Sequence, residues 1–246
     1  FVPVFGEIWT GTKSKVGVSL RMGRLRRKPG MVEALSLFPE LVVITDEKFY
    51  GNGNWKARFP VSGPLFLELG TGKGRFLQEM ARLHPDCCFV GLEKEPGVLI
   101  QAVRKTRELE LTNLKFILGD VQWLDRMFAP AEVDGIFIHF CDPWPKSRHE
   151  KRRLTHPDYL RRYRHILTSA GSIRLKTDNR ELFEYSLASF TASGMELVRV
   201  SRDVHAEDAN LSAVMTEYEL KFHAAGLPIC YCEARFDNVG EVSADA

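Results

Sequence analysis

The stretch LFLELGTGKGRFLQEMARL (65–83) contains the pattern that determines the fold. Its first five residues are apolar apart from Glu68, and such a run predicts a buried strand. Gly70, Gly72 and Gly74 follow at alternate positions, and apolar residues then recur at helical spacing. A strand, a glycine-rich turn and a helix in this order are typical of the first unit of an open α/β sheet.

Strand-like and helix-like segments alternate regularly after this unit. Because strands joined through helices run parallel with right-handed crossovers, the alternation predicts a parallel sheet. The strand centres are apolar, so helices are expected on both faces. We therefore predict an α/β fold with a doubly wound, mostly parallel, seven-stranded sheet of the Rossmann-like type. The six strands that follow the first are expected at residues 87–93, 114–120, 133–142, 172–178, 195–201 and 229–236.

The composition is that of an ordinary globular protein, with 246 residues of which 44% are hydrophobic and 27% charged. We expect a basic, partly flexible arm over residues 1–40, one domain over 41–236 and a polar tail over 237–246. No apolar run approaches the ~20 residues that span a bilayer, and the first residues lack the pattern of a signal peptide. The five cysteines match neither a disulfide framework nor a zinc site. The sequence thus predicts a cytoplasmic location, no membrane partner and no metal.

The net charge of +2 conceals an uneven distribution. Residues 1–30 and residues 146–164 each carry a net charge of +6, which leaves −10 for the remainder of the chain. Two basic blocks on an acidic body favour a polyanionic partner such as a nucleic acid. The alternative interpretation is that these charges only solvate the surface.

Three acids stand at the carboxyl ends of successive predicted strands. Glu68 precedes the glycine turn, Glu93 ends the second strand and Asp120 ends the third. The G-x-G-x-G spacing differs from the G-x-G-x-x-G that suits a pyrophosphate, and Glu68 would repel one. Carboxylates around a glycine turn favour a cationic ligand such as S-adenosylmethionine. The alternatives are solvated acids and a tight turn that binds nothing.

The fourth predicted strand ends in the sequence Asp142-Pro-Trp-Pro-Lys146. The two prolines stiffen this turn, so that Asp142 is presented rigidly at the edge of the sheet. Trp144 is suited to stacking on a base. The alternative is a rigid loop around a buried tryptophan. The basic residues that we expect to contact phosphates follow at once, and they are Lys146, Arg148, Lys151, Arg152 and Arg153.

With these motifs the chain resembles the bacterial-type tRNA (guanine-N7-)-methyltransferases, over about residues 20–236. The most specific element is DPWPKSRHEKRR (142–153), although Cys141 stands where proline is expected and Glu150 where a histidine or another polar or basic residue is expected. The supporting elements are LELGTGKG (67–74), GLEKEPGV (91–98), LGD (118–120), KTDN (176–179) and TEYE (216–219).

The resemblance implies a class I methyltransferase fold and transfer of a methyl group from S-adenosylmethionine to guanine N7 in the variable loop of tRNA. It implies that Asp142 is catalytic. It also implies two sets of binding residues. The cofactor would be bound by Glu68, Gly70, Gly72, Glu93, Asp120 and Asp142. The guanosine or tRNA would be bound by Lys146, Asp178, Thr216 and Glu219. Independently of the resemblance, the charges of the basic run predict that Arg148, Lys151, Arg152 and Arg153 bind the RNA backbone.

Some of these positions have purely structural alternatives. Thr216 and Glu219 match a capping box at the start of a helix, and Asp178-Asn179 lies where an N-cap is expected. Three other functions are alternatives to the methylation of guanine N7 in tRNA. They are methylation of an exocyclic base amine, RNA binding without catalysis, and nicotinamide-dependent oxidation, which the loop spacing disfavours.

Overall fold

The computed structural model describes residues 30–46, 51, 53–208, 211 and 213–237. An eight-stranded sheet forms its centre, in the order β1-β4-β3-β2-β5-β6-β8-β7. The strands are β1 (Val42–Ile44), β2 (Leu65–Leu69), β3 (Cys88–Glu93), β4 (Leu114–Leu118), β5 (Val133–His139), β6 (Leu167–Thr177), β7 (Met195–Ser201) and β8 (Cys230–Phe236). The α-helices are α1 (Met31–Leu35), α2 (Arg75–Leu83), α3 (Pro96–Glu108), α4 (Leu124–Met127), α5 (Pro157–Ile166), α6 (Arg180–Ala192), α7 (Val204–Glu207) and α8 (Glu217–Ala224).

The pairing confirms the mostly parallel, doubly wound sheet. Strands β1 to β6 pair in parallel, whereas β8 lies antiparallel between β6 and β7. The predicted count of seven strands was one too low, because β1 pairs with β4 at the edge of the sheet. This strand has only three residues. A segment so short shows no alternation by which the sequence pattern could reveal it.

The two faces of β2 bury their side chains in different hydrophobic cores. Leu65, Leu67 and Leu69 pack with residues of α4, α5 and α6, whereas Phe66 packs with residues of α1, α2 and α3. All five residues of the strand are buried. This arrangement explains why the strand is apolar without alternation, and it confirms that helices cover both faces.

The expected arm over residues 1–40 is described only from residue 30 onwards. Within this part, α1 packs against α3 and the side chain of Leu35 is fully buried. The basic segment 21–28 and most of the expected tail, residues 238–246, lie outside the described residues. Among the helices that the structure describes, none is both long and apolar enough to cross a membrane.

Strand β2 lies between β3 and β5, and this position creates the crevice of the fold. The chain passes from β2 to β3 on one side and later returns to β5 on the other side. The loops that leave β2 and β5 therefore diverge. Ligands of open α/β sheets bind at such a switch point, beyond the carboxyl ends of the strands.

Candidate active site

A cavity of about 450 Å³ opens at this switch point. Four of the residues predicted to bind the cofactor line it, each from the end of a different strand. They are Gly70 after β2, Glu93 at the end of β3, Asp120 after β4 and Asp142 after β5. A cavity of this size, with acids converging from several strands, matches a binding site for a small organic ligand.

The glycine turn has a backbone that other residues adopt only with strain. Gly70 has φ 76° and Gly72 has φ 59°, both in the left-handed region. The amide of Gly70 donates to the carbonyl of Leu92 at 2.8 Å, which fastens the turn to β3. Open space lies where a side chain at Gly70 or Gly72 would stand. The turn therefore leaves room for a ligand to approach its backbone.

Glu93 and Asp120 are held by backbone amides. One oxygen of Glu93 accepts from the amide of Gly72 at 3.1 Å, and the other accepts from Lys94 at 2.9 Å and Glu95 at 3.0 Å. Burial raises the pKa of Glu93, and these hydrogen bonds partly oppose the rise. Asp120 accepts from the amide of Gln122 at 3.0 Å, which caps a short 3-10 helix. Both carboxylates are thus fixed in position at the cavity wall.

Glu68 lies beneath the cavity, where it is 2% exposed. One carboxylate oxygen accepts from the hydroxyl of Thr71 at 2.6 Å, and the other lies 2.9 Å from Nδ1 of His139. Both oxygens are thus engaged by protein groups. The structure places this acid in a supporting position, from which it orients the glycine turn and a histidine.

His139 is a cavity residue that sequence reasoning missed. Its ring is fixed on one side by Glu68 and on another by the ring of Phe76, whose centroid lies 4.4 Å away in an edge-on arrangement. A single histidine within an apolar run gives no sign of a ligand site. The available signal was its position, because His139 ends the strand that pairs with β2 on the side of the switch point.

Two residues with left-handed backbone conformations flank Asp142. Phe140 has φ 50° and Trp144 has φ 42°, and such values are uncommon outside glycine. Trp144 lines the cavity, and the guanidinium of Arg152 lies 4.8 Å from the centroid of its ring. Burial, and then the charge of Asp142, raise the pKa of the Cys141 thiol to about 12, which keeps this thiol protonated.

The basic residues after the turn differ in their surroundings. Lys146, Arg148 and Lys151 are exposed. Arg152 lies over Trp144, whereas Arg153 is half-buried and donates hydrogen bonds to backbone carbonyls of the turn itself. Arg152 is exposed as well, so the predicted set contains four exposed cations, and only Arg153 is half-buried against the turn.

Asn179, and not Asp178, is the N-cap of α6. The side chain of Asn179 accepts from the amide of Leu182 at 2.8 Å. Burial raises the pKa of Asp178, and burial, followed by the charge of Asp178, raises the pKa of Tyr218 on α8. Asp178 therefore lies close to α8 without a capping role.

Thr216 and Glu219 form a capping box at the start of α8, which confirms the structural interpretation of this segment. The Glu219 carboxylate is fully buried, and one of its oxygens lies 2.8 Å from Nζ of Lys176 and 3.2 Å from Nε2 of His205. Burial opposes ionisation of Glu219, but His205 and Lys176 outweigh it, so that the pKa lies below its ordinary value. Glu219 thus ties α8 to β6 through a buried ion pair.

Carboxylates, cysteines and histidines do not cluster as metal ligands in the part of the chain that the structure describes.

Comparison with known proteins assigns the family. A family model described as “Putative methyltransferase” matches residues 62–232. A tRNA (guanine-N(7)-)-methyltransferase of Halalkalibacterium halodurans is 48% identical over 87% of this chain and 96% of its own length. The chain belongs to the family of tRNA (guanine-N(7)-)-methyltransferases. The corresponding protein of Listeria innocua is 42% identical over 87% of this chain and 99% of its own length.

Solved structures support the fold of this family member. The 16S rRNA methyltransferase KamB superimposes with a TM-score of 0.55 at 14% identity, covering 71% of this chain and 88% of that chain. An S-adenosylmethionine-dependent methyltransferase from Aquifex aeolicus does so with a TM-score of 0.51 at 12% identity, covering 86% and 95%. The sheet is therefore that of the class I methyltransferases, as expected.

The buried ion pair of Glu219 leads to a prediction about stability. Glu219→Gln should lower the free energy of unfolding at pH 7 by about 3–5 kcal/mol, because it leaves Lys176 buried without its partner. Since the folded-state pKa of Glu219 lies below its ordinary value of 4.5, its contribution is present above that pH and is lost as the pH falls further. The difference between wild type and variant should shrink below pH 4.5 in urea titrations.

The matched control is Glu217→Gln on the same helix. The Glu217 side chain is 49% exposed and pairs with Lys73, so its loss should cost less than about 1 kcal/mol. Equal losses in the two variants would contradict the role assigned to the buried pair.

Proposed function

We propose that the chain transfers a methyl group from S-adenosylmethionine to N7 of a guanine in the variable loop of tRNA. One observation carries the proposal: the cavity that is lined by Glu93, Asp120 and Asp142 opens beside the Trp144 turn and its basic continuation. Family membership supports the reaction, and the tRNA in the names of the relatives supports the substrate.

The cavity fits S-adenosylmethionine on chemical grounds. Three carboxylates suit a ligand that carries an ammonium and a sulfonium, and the open space beside Gly70 admits it close to the backbone. We expect Glu93, at the end of the second strand of the α/β unit, to accept from a ribose diol. We expect Asp120 to accept from an adenine amino group. When bound, the cofactor supplies an electrophilic methyl group.

The chemistry requires positioning more than proton transfer. Guanine N7 has an in-plane lone pair and no proton, so no general base is needed. The residues of the site must instead align this lone pair with the methyl group. Methylation makes the base cationic, and a fixed carboxylate stabilises that charge as it develops. Asp142 is our first candidate for this role, and Asp178 is the second.

We assign the recognition of guanosine to the region between the Trp144 turn and α8. The ring of Trp144 lies at the cavity wall and is suited to stacking on an unstacked base. Lys146 follows it in the chain, while Asp178 comes directly after β6 and Thr216 is the N-cap of α8. In this proposal Glu219 acts through the capping box, which fixes the start of α8.

The defining experiment incubates the protein with methyl-labelled S-adenosylmethionine and tRNA that lacks modifications. We expect label in 7-methylguanosine, at a variable-loop position found by mapping the modified nucleotide. Label on an exocyclic amine would favour the competing methyltransferase class. Binding of tRNA without any transfer would favour an inactive RNA-binding protein.

Asp142→Asn should lower kcat on tRNA by about 10²–10³-fold, because it removes one fixed charge that stabilises the methylated base. Calorimetry with S-adenosylmethionine separates a loss of cofactor affinity from a loss of turnover. Asp158→Asn is the control, since this exposed carboxylate lies on α5 and lines no part of the cavity. Turnover of Asp142→Asn close to that of wild type would show that Asp142 only shapes the turn.

Neutralising Arg148 and Lys151 together should weaken tRNA binding, and it should also make the affinity for tRNA less dependent on the salt concentration. Each phosphate contact contributes a slope of about 0.7–0.9 in a plot of log affinity against log salt. The double glutamine variant should therefore bind with a slope shallower by about 1.4–1.8. Lys105→Gln on the exposed face of α3 is the control. Unchanged slopes in the double variant would rule out phosphate contacts at both positions.

A further inference from the structure

The guanidinium of Arg153 points back to the turn that presents Asp142. Its Nε donates to the carbonyl of Pro143 at 3.2 Å, and its Nη2 donates to the carbonyl of Trp144 at 3.1 Å. From this geometry we infer that Arg153 is a positioning residue for the Asp142–Trp144 turn and does not contact RNA phosphates. The inference rests on the proposed function, because the turn matters only if Asp142 and Trp144 meet the base.

The turn needs such support because its own backbone provides little. Beyond the end of β5 at His139, the amide of Phe140 still donates to the carbonyl of Lys176 in β6 at 2.9 Å, but the ladder of the sheet does not extend to the Asp142–Trp144 segment. Pro143 and Pro145 have no amide hydrogen to donate. Trp144 has φ 42°, a conformation that persists only where the surrounding structure enforces it. Two hydrogen bonds to consecutive carbonyls fix the orientation of both peptide groups.

Arg153 also anchors the turn to the body of the domain. Its guanidinium stacks on the ring of Tyr185 in α6, 4.2 Å from the centroid. The next residues are fastened as well: the hydroxyl of Tyr163 donates to the carbonyl of Leu154 at 2.9 Å, and the hydroxyls of Thr155 and Ser186 lie 2.8 Å apart. The position of the turn is therefore set by α5 and α6.

An arginine is required by this geometry and a lysine does not replace it. The planar guanidinium presents two donors side by side while its face stacks on an aromatic ring. An ammonium retains the charge but lacks the planar fork. Arg153 thus differs from the exposed Lys151, for which the charge alone serves a phosphate contact.

The test compares Arg153→Lys with Lys151→Gln in the full chain, using tRNA and S-adenosylmethionine. Misplacement of the turn in Arg153→Lys should lower kcat on the order of 10²-fold. The affinity for tRNA and its salt slope should stay within about two-fold of wild type, because the charge is kept. Lys151→Gln should show the profile of a phosphate contact, with weaker binding and a shallower slope.

A double-mutant cycle with Asp142→Asn tests whether Arg153 acts through the turn. If it does, adding Arg153→Lys to Asp142→Asn should cost far less than it costs in wild type, because coupled residues are not additive. If the fold-changes in kcat of the two single variants simply multiply in the double variant, Arg153 has a general structural role and the inference is overturned. So would a wild-type kcat in Arg153→Lys, or a loss confined to tRNA affinity.

Tyr185→Leu provides an independent variant, since it keeps the guanidinium and removes the ring on which it stacks. It should lower kcat by a smaller factor than Arg153→Lys does, while the salt dependence of tRNA affinity stays that of the wild type. If Arg153→Lys does not fold, this variant decides the question, and a wild-type kcat for Tyr185→Leu then overturns the inference. Wild-type protein that methylates no guanine N7 would refute the proposed function, whereas an active wild type with an equally active Arg153→Lys refutes only the role of Arg153.

Discussion

The buried carboxylate of Glu68 joins the two sides of the crevice, and the geometry of the cavity depends on it. One oxygen holds Thr71 in the glycine turn after β2, and the other holds His139 at the end of β5. These segments lie far apart in the chain and meet only because β2 and β5 are neighbours in the sheet. An acid in this place costs desolvation energy, which is offset where both oxygens have partners. The same hydrogen bonds fix the wall against which a cofactor would lie.

A second buried acid performs the corresponding task at the start of α8. Glu219 closes the capping box of α8 and pairs with Lys176 of β6, the strand residue that lies opposite His139. Structural and functional interpretations of the 216–219 segment are therefore not exclusive. The capping box determines where Thr216 and Tyr218 stand, and the ion pair determines where the helix begins relative to the sheet. Any contact of this segment with a base depends on that placement.

The sequence predicted the sheet and the region of the site well, because both depend on local periodicity and on strand ends. Gly70, Glu93, Asp120 and Asp142 lie at the cavity as expected. Three features escaped prediction for physical reasons. β1 is too short to show a period, and His139 becomes a cavity residue only through its neighbour in the sheet. The direction of Arg153 depends on Tyr185, which is distant in sequence, so a run of basic residues could not distinguish it from Lys151.

The place of β8 has a consequence for how the chain acquires its structure during synthesis. β7 pairs only with β8 among the described strands, and β8 is the last strand along the chain. Strands β2 to β5, which carry the cofactor cavity, are able to pair while the C-terminal part is still within the ribosome. β7 cannot join the sheet until β8, which ends at residue 236, has left the ribosome. Until then, the unpaired edge of β6 is accessible to other chains. The strand order therefore allows the crevice at β2 and β5 to form during synthesis before the sheet is complete.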